Sequence, residues 1–553
     1  MTGRFNQAIE TARCTGRWQA LLLCMALLLL PYSVWAADLD SALAALAGAS
    51  LSKVPAILEE VEAVGGEAAV PAFTAMLEGD LYYRRSDKRV VRAVRDDAGQ
   101  YQLSDPLSGA SLGASEKSAL RKVKVSNRVR IHLRGAIARL TLSSEDPRQR
   151  LRAAQNLLER PDEDNLPLLR AAIETETDPD VVELLQTALA LNLLQTSGDS
   201  EARLGAVETV AGSLQPAVRN QLQSMVQRDD DGNYGEEDAA VREAAQRALV
   251  TIDSRISFYG SLETVFFGLS LGSVLLLAAL GLAITFGVMG VINMAHGELI
   301  MLGAYTTYMV QVLLPQHIEY SLFIAVPAAF VVSGLVGVLI ERSVIRFLHG
   351  RPLETLLATF GISLILQQAV RTIFSPLNRQ VFTPDWMSGS LQINSVFSLT
   401  YNRLYVFLFA LVVFFVLQLV LNRTSLGLNV RAVSQNRSMA RAIGVRADWV
   451  DALTFGLGSG IAGIAGVALS QLTNVGPNLG QAYIIDSFMV VVFGGVGNLW
   501  GTLVGALSLG VVNKFLEPVT GAVLAKILVL VFIILFIQKR PRGLFPQKGR
   551  AAE

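Results

Sequence analysis

The sequence predicts an all-α protein: a polytopic helical membrane bundle of about eight or nine spans, preceded by an exported and mostly helical domain. Between Phe258 and Ile537, long apolar segments alternate with short polar loops. Hydrocarbon offers the backbone no hydrogen-bond partners, so segments of this kind must form helices in a membrane. Residues 38–257 are instead rich in Asp, Glu, Arg and Gln. The chain therefore divides into a membrane domain, 258–540, and an aqueous domain, 37–257.

Residues 1–36 have the pattern of a secretory signal peptide. Three arginines precede an apolar core at Leu21–Leu30, and small residues follow at Ala36 and Ala37. The apolar core is shorter than the roughly 20 residues that span a bilayer. We therefore expect cleavage, with an uncleaved anchor helix as the alternative. Both cysteines of the chain lie in this segment, so cleavage would leave no thiol or disulfide chemistry.

The exported domain shows helical periodicity with acidic helix starts. Asp146, Asp178, Asp199 and Asp238 each precede an amphipathic run, and an acidic side chain there satisfies free backbone amides. The intervals between these starts are irregular. This pattern predicts an array of the HEAT-repeat type that offers a binding or docking face rather than a catalytic one.

One segment of this domain departs from the helical pattern. Leu81–Leu103 contains alternating valines followed by Asp97-Ala98-Gly99, which predicts a short β-hairpin. The segment is rich in arginine. It forms either a docking patch for a partner or lipid headgroups, or an edge strand that charge protects from aggregation.

The membrane domain contains seven clear candidate spans. Arginines are concentrated in the loops near 342–351 and 423–446 and in the tail, 541–553, while loops near 315–320 and 471–482 contain no Lys or Arg. The positive-inside rule places the arginine-rich parts in the cytoplasm and the amino-terminal domain in the periplasm. The spans are 262–288, 297–314, 321–341, 353–374, 404–421, 449–470 and 523–537.

The stretch 484–512 must cross twice, or form a re-entrant pair, if the basic tail is to be cytoplasmic. The expected break is Gly494-Gly495-Val496-Gly497-Asn498, followed by Gly501. Irregular backbone at membrane depth is tolerated only where protein or water covers it. The break is therefore expected to line the bundle interior, and a single tilted helix is the alternative.

A second polar motif, Asn293-Met294-Ala295-His296-Gly297-Glu298, lies between the first two spans. Polar groups beside apolar segments are costly unless they are paired, so the motif predicts an unwound hinge or a lining of the solute path. An interfacial loop in contact with water is the alternative. The candidate pathway and hinge residues are Asn293, His296, Gly297, Glu298, Gly494, Gly495, Gly497 and Asn498.

The loop Arg431–Gly444 combines basic and apolar residues at helical spacing, with Gly444 as a helix stop. This pattern predicts a short amphipathic helix, which binds either a groove on a cytoplasmic partner or the lipid surface. Its candidate contact residues are Arg431, Ser434, Gln435, Asn436, Met439, Ala440, Ile443 and Gly444.

Motifs for chemistry are missing from the sequence. There is no G-x-x-x-x-G-K-[ST] phosphate loop, and the four histidines are widely separated. We predict no catalytic residue, no metal site and no bound cofactor. A net charge of zero gives no reason to expect a nucleic acid partner. The sequence indicates a solute pathway rather than an enzyme.

Several runs resemble the permease subunits of branched-chain amino acid ABC importers. They cover much of residues 260–545 in the same order. The order of signal peptide, large exported helical domain and permease resembles the Urt-type urea transporter permeases within that family. The runs are Gly268–Gly272, Phe286–Gly297, Arg351–Phe374, Thr424–Gly427, Arg431–Gly444 and Phe493–Gly497.

The resemblance implies a bacterial inner-membrane subunit with four kinds of partner: a second related permease, two cytoplasmic ATPases that use ATP, a periplasmic solute-binding protein and the lipid bilayer. It implies that Arg431–Gly444 couples to the ATPases, and that the solute is urea. A branched-chain amino acid permease, a passive urea channel and a membrane scaffold remain alternatives.

Overall fold

The computed structural model describes residues 39–96, 100–159, 161–228 and 231–545. The expected signal peptide, the end of the basic tail and the expected turn at 97–99 lie outside the described residues. The chain forms two compact units, Met1–Ser254 and Arg255–Glu553.

The first unit is mainly helical. Within the described residues, a short helical segment at 39–44 and two longer helices precede a small sheet, and six helices follow it before Ala239. The longer helices are α1 Val54–Gly65, α2 Val70–Glu78, α3 Asn127–Leu142, α4 Pro147–Glu159, α5 Leu166–Thr175, α6 Pro179–Thr196, α7 Ser200–Val210 and α8 Pro216–Val226.

The expected hairpin is wrong in extent, because the described residues form a five-stranded antiparallel sheet in the order β4-β3-β2-β1-β5. The additional strands, β4 and β5, are short and polar, so they lack the apolar alternation that predicts a strand. Both faces of the sheet bury side chains: Val90 joins the helical core and its neighbour Val91 joins a second cluster. The strands are β1 Leu81–Arg84, β2 Val90–Arg95, β3 Tyr101–Ser104, β4 Ser111–Ser115 and β5 Leu120–Lys122.

The four predicted acidic helix starts are confirmed. Asp178 and Asp199 cap α6 and α7 through their carboxylates, and helices begin directly after Asp146 and Asp238. Three of these starts share a further contact, in which an arginine four residues later donates to the carbonyl two residues before the aspartate. These bonds join Arg150 to Ser144 at 2.9 Å, Arg203 to Ser197 at 2.9 Å and Arg242 to Glu236 at 3.0 Å.

Ion pairs connect these repeated helix starts. Arg150 pairs with Glu176 at 2.7 Å, and Arg203 pairs with Glu236 at 3.1 Å. Both glutamates lie two residues before a helix-starting aspartate. This recurrence supports a repeat-like array, while assignment to the HEAT type stays a prediction.

Helix α9 combines two elements that the sequence analysis treated separately, the helix after Asp238 and the span from 262. It runs without interruption from Ala239 to Met289. The reason is local: no proline separates the two predicted elements to stop the helix.

The second unit is a helical bundle. Its helices after α9 are α10 His296–Leu313, α11 Ile318–Ser343, α12 Pro352–Phe374, α13 Tyr401–Arg423, α14 Ser425–Gln435, α15 Arg437–Ala442, α16 Ala447–Ser470, α17 Gln481–Gly494, α18 Leu499–Thr520 and α19 Ala522–Lys539. A small hairpin, β6 Ser390–Gln392 and β7 Ser398–Thr400, precedes α13.

Seven helices in the described ranges are long and apolar enough to cross a membrane: α9, α11, α12, α13, α16, α18 and α19. Helix α10 does not belong to this set, and α17 has only 14 residues. The expected total of eight or nine spans therefore stays a prediction.

Helix α16 lies at the centre of the bundle. Most of its 24 residues are buried. Its glycines meet the backbones of neighbouring helices: Gly458 approaches Gly281 of α9, and Gly463 approaches Gly303 of α10. Small residues allow such close approach, which is a main source of helix association in membranes.

Candidate functional site

The polar motif between α9 and α10 is buried. Residues 290–295 are non-helical, and His296 begins α10. Asn293, His296 and Glu298 are each exposed to 1% or less. This burial disagrees with a water-contacting loop. The unwound part is limited to the residues before His296, because His296, Gly297 and Glu298 form the first turn of a helix.

Helix α12 provides a polar stripe that faces this motif. Thr355, Thr359, Ser363 and Gln367 recur every four residues and are all buried. Residues at this interval lie on one face of a helix. The opposite face exposes large apolar side chains such as Leu353 and Leu357. This stripe was not predicted, although its four-residue spacing is visible in the sequence.

Hydrogen bonds connect the stripe to the motif. The Thr359 hydroxyl accepts from the backbone N–H of Met294 at 3.1 Å. The Glu298 Oε1 atom accepts from Ser363 Oγ at 3.0 Å and from Gln367 Nε2 at 2.7 Å. Consecutive turns of α12 therefore hold the unwound segment and the buried carboxylate.

His296 contacts the other side of the motif. Its Nε2 atom lies 2.8 Å from the carbonyl oxygen of Ala278 in α9. The ring also occupies the space beside Gly281, where an added Cβ would lie 2.7 Å from His296 Cε1. This histidine therefore holds α9 and α10 together.

Gly297 allows the starts of α10 and α17 to meet. An added Cβ on Gly297 would lie 2.7 Å from the carbonyl oxygen of Gly480, directly before α17. The segment 471–480 that leads to α17 is also held by α12, because Arg371 donates to Asn478 Oδ1 at 2.7 Å. The backbone of Gly480, rather than a side chain, thus lies against Gly297 in α10.

The glycine break lies between α17 and α18. Gly495 and Gly497 both have positive φ, which glycine adopts without strain. Asn498 caps α18 by accepting from the backbone N–H groups of Trp500 at 3.0 Å and Gly501 at 3.2 Å. These features explain why the chain stops one helix and starts another here.

The carboxyl-terminal segment covers this break. The backbone N–H groups of Leu544 and Phe545 donate to the carbonyls of Phe493 and Gly494, at 2.9 and 3.2 Å. Asn498 Nδ2 donates to the Phe545 carbonyl at 3.3 Å. The structure thus places the two groups of predicted pathway residues against different elements, one against α12 and the other against the end of the chain.

The loop predicted as one amphipathic helix contains two. Helix α14 ends at Gln435 and α15 begins at Arg437. Asn436 between them is extended, and its Oδ1 atom caps α15 by accepting from Met439 N at 3.0 Å. A capping side chain favours a new helix start over continuation, which is why a single helix is wrong here. Gly444, with φ of 93°, follows α15 as expected.

The candidate contact residues of this loop divide by exposure. Ala440 is buried with Val430 and Val433, whereas Met439 and Ile443 are 61% and 71% exposed. Arg431 donates to the carbonyl of Leu421, and Ser434 is half-buried. Gln435, Asn436 and Gly444 are exposed.

Arg437 connects the loop to two other elements. Its guanidinium lies 2.5 Å from Asp451 and 3.3 Å from Asp448, both in α16. It also donates to His349, ahead of α12, at 3.1 Å. Burial, and then the charge of Arg437, hold the pKa of His349 below its ordinary value, so a neutral imidazole accepts this hydrogen bond at neutral pH.

Comparisons with known proteins assign the second half of the chain. The family described as "Branched-chain amino acid transport system / permease component" matches residues 264–537. The permease protein BraD of the high-affinity branched-chain amino acid transport system in Pseudomonas aeruginosa is 30% identical over 295 residues, which are 52% of this chain and 96% of that protein.

Two further relatives agree. The corresponding LivH permease of Salmonella typhimurium is 29% identical, over 51% of this chain and 94% of its own length. The probable LivH permease of Methanocaldococcus jannaschii is 27% identical, over 49% and 88%. No solved structure matches the chain. The protein is a multi-pass membrane permease of the ABC type and belongs to the branched-chain amino acid transport permease family.

Proposed function

We propose that this chain is a permease subunit of an ATP-driven importer that takes up urea from the periplasm. The observation that carries the proposal is the buried stripe on α12, made of neutral hydrogen-bonding side chains, which faces the Asn293–Glu298 motif. Urea is small, uncharged and polar, so its path needs hydrogen-bonding groups rather than compensating charge. The order of exported domain and permease, which resembles the Urt type, supports the same substrate.

The proposed assembly follows from the family. It contains a second related permease, two cytoplasmic ATPases and a periplasmic solute-binding protein, in a bacterial inner membrane. The amino-terminal domain is periplasmic and the basic tail is cytoplasmic. The resemblance of Arg431–Gly444 to the family's coupling loop favours a protein partner over the lipid surface, and the exposed Met439 and Ile443 would form the apolar contact for an ATPase.

The contacts of Arg437 suggest how ATPase movement reaches the pathway. Displacement of α15 is transmitted through Asp448 and Asp451 to the central helix α16, and through His349 to α12. Helix α12 carries the polar stripe. The unwound segment before His296 and the break at Gly494–Asn498 absorb the backbone changes.

A branched-chain amino acid is the second candidate substrate, because the relatives above carry it in their names. The substrate of an importer is also selected by its binding protein, so the permease sequence leaves room for this alternative. A passive channel and a scaffold are the alternatives of another class.

Uptake of radiolabelled urea tests the proposal. We expect uptake in cells that contain the complete system, loss of uptake when this chain is deleted, and little inhibition by excess leucine. A second strain, with an ATPase subunit inactivated in its phosphate loop, should also lose uptake. Uptake without ATPase activity would indicate a channel, strong competition by leucine an amino acid permease, and normal uptake after deletion a scaffold.

A further inference from the structure

We propose that Glu298 and Asn293 form a binding site for a small neutral amide-type solute, in which Glu298 accepts the solute N–H groups and Asn293 donates to its carbonyl. The inference rests on the proposed function and assigns residues and a solute class to it.

Glu298 has an unused acceptor in a buried position. It is 1% exposed, and Ser363 and Gln367 both donate to its Oε1 atom. Its Oε2 atom has no hydrogen-bond partner among the described residues. A buried acceptor without a partner costs free energy, so an orphan oxygen beside a fully engaged one indicates a position that a ligand or water completes.

Asn293 has the complementary feature. Its Oδ1 atom accepts from the backbone N–H of Ala295 at 3.0 Å, which orients the amide. Its Nδ2 group, also in a side chain exposed to 1%, has no partner within the described part of the chain. The ring Nδ1 of His296 in the same motif also has no partner among the described residues, and the proposed site uses the other two groups, the Asn293 donor and the Glu298 acceptor.

Helix α12 bonds to both ends of the motif. Met294, next to Asn293, bonds to Thr359, and Glu298 bonds to Ser363 one turn further along α12. Four residues of helix correspond to a rise of about 6 Å. A molecule that carries N–H donors and a carbonyl acceptor on a single carbon, as urea and simple amides do, offers the two kinds of group that Glu298 Oε2 and Asn293 Nδ2 lack.

The supporting hydrogen bonds define the donor and acceptor pattern. Because Ser363 and Gln367 donate to Oε1, that position must remain an acceptor. In Glu298→Gln, the amide oxygen is expected to take this position, and the amide NH₂ would then face the N–H groups of the solute. The variant side chain keeps the size and shape of glutamate, but its NH₂ donor then faces the N–H donors of the solute, so no hydrogen bond can form between them.

The decisive experiment measures urea uptake and complex assembly together. In the complete transporter, we expect Glu298→Gln to reduce urea uptake by about tenfold or more, while co-purification of the ATPases is unchanged. Asn293→Asp, which replaces the free donor by an acceptor, should cause a similar loss and serves if Glu298→Gln fails to assemble. The matched control is Glu354→Gln, an exposed carboxylate at the start of α12, which should transport urea like the wild type.

The outcomes separate the site from the function. If the wild type takes up urea and both Glu298→Gln and Asn293→Asp take it up equally well, the site is wrong and the proposed function still stands. If the wild type transports leucine and not urea, the proposed function fails. Loss of leucine uptake in Glu298→Gln would then overturn the neutral solute class assigned here.

Discussion

Gly303 in α10 shows how single residues determine the packing of the bundle. A Cβ at this position would overlap the carbonyl oxygen of Gly463 in α16. Helix α16 is largely enclosed by its neighbours, so it has little freedom to move away. The close approach of α10 and α16 fixes the position of α10, whose first turn contains Glu298.

We expect Gly303→Ala to destabilise the bundle by about 1–3 kcal/mol, because the added methyl group overpacks a close helix contact. Thermal unfolding of the full-length protein in detergent measures this effect. Gly361→Ala in α12 is the matched control, since an added Cβ there meets no atom within 4 Å. The control should be neutral or stabilising, because alanine favours helix more than glycine does. Equal melting temperatures for the two variants would contradict the packing argument.

Individual polar residues were only partly predictable. Asn293, His296 and Glu298 stand out in the sequence because they interrupt apolar segments. Ser363 and Gln367 were not predicted, because a single serine or glutamine within an apolar span is common and carries no signal by itself. Only the four-residue spacing of the polar residues sets them apart. Their contact with Glu298 joins residues 65 and 69 positions apart, which no local pattern encodes.

Among the elements, α4 and the start of α6 are held together by a half-buried ion pair. Arg150 donates to both oxygens of Glu176, at 2.7 and 2.9 Å. Glu176 Oε1 also accepts from the backbone N–H groups of Thr177 and Asp178. Its hydrogen bonds with Arg150, more than any other contact, hold the pKa of Glu176 below its ordinary value.

This pair predicts a pH-dependent stability. A carboxylate with a lowered folded-state pKa contributes stability above its unfolded pKa of about 4.3, and loses it as the pH falls through the folded pKa. We expect Glu176→Gln to destabilise the α4–α6 region by roughly 1–3 kcal/mol at pH 7. Hydrogen exchange of that region in the full-length protein measures the difference.

The difference between Glu176→Gln and the wild type should shrink below about pH 4.3. Glu174→Gln, a nearby exposed position on α5, is the control and should exchange like the wild type. A difference that is constant from pH 7 to pH 3 would show that the charge of Glu176 is not the cause.

Element boundaries followed from the sequence where capping is local. Asp178 and Asp199 cap helices at the positions that the sequence predicts. The sheet was underestimated because strands β4 and β5 are defined by pairing with β3 and β1, and not by their own composition. The split of the Arg431–Gly444 loop depends on one side chain, Asn436, which caps its own helix.

For the whole molecule, orientation in the membrane is the prediction with the widest consequence. In a background with Cys14→Ser and Cys24→Ser, a cysteine at Glu208 should react with a membrane-impermeant thiol reagent added to spheroplasts. A cysteine at Gln435 should react only after the membrane is permeabilised. Both positions are exposed in the structure, so burial does not explain a difference. Cells that lack the ATPase subunits avoid protection of Gln435 by a partner.

Labelling of Gln435→Cys in intact spheroplasts would show that the orientation in the membrane is opposite to the one assigned. The arginine-rich loop would then face the periplasm, and coupling to a cytoplasmic ATPase through α15 would be impossible. Labelling of Glu208→Cys only after permeabilisation would separately contradict export of the amino-terminal domain.

Two kinds of information combine in this protein. Hydropathy, charge and caps act over neighbouring residues, because lipid forces each backbone segment to satisfy its own hydrogen bonds. Those local constraints were enough to predict two unlike domains, most of the long apolar helices and the acidic helix starts, while the family was predicted from the resemblance of several runs to known permeases. The partners of Glu298, the cover of the glycine break by Leu544 and Phe545, and the five-stranded sheet arise from contacts between distant parts of the chain. Such contacts depend on how helices and strands pack in three dimensions, so they became visible only in the folded structure.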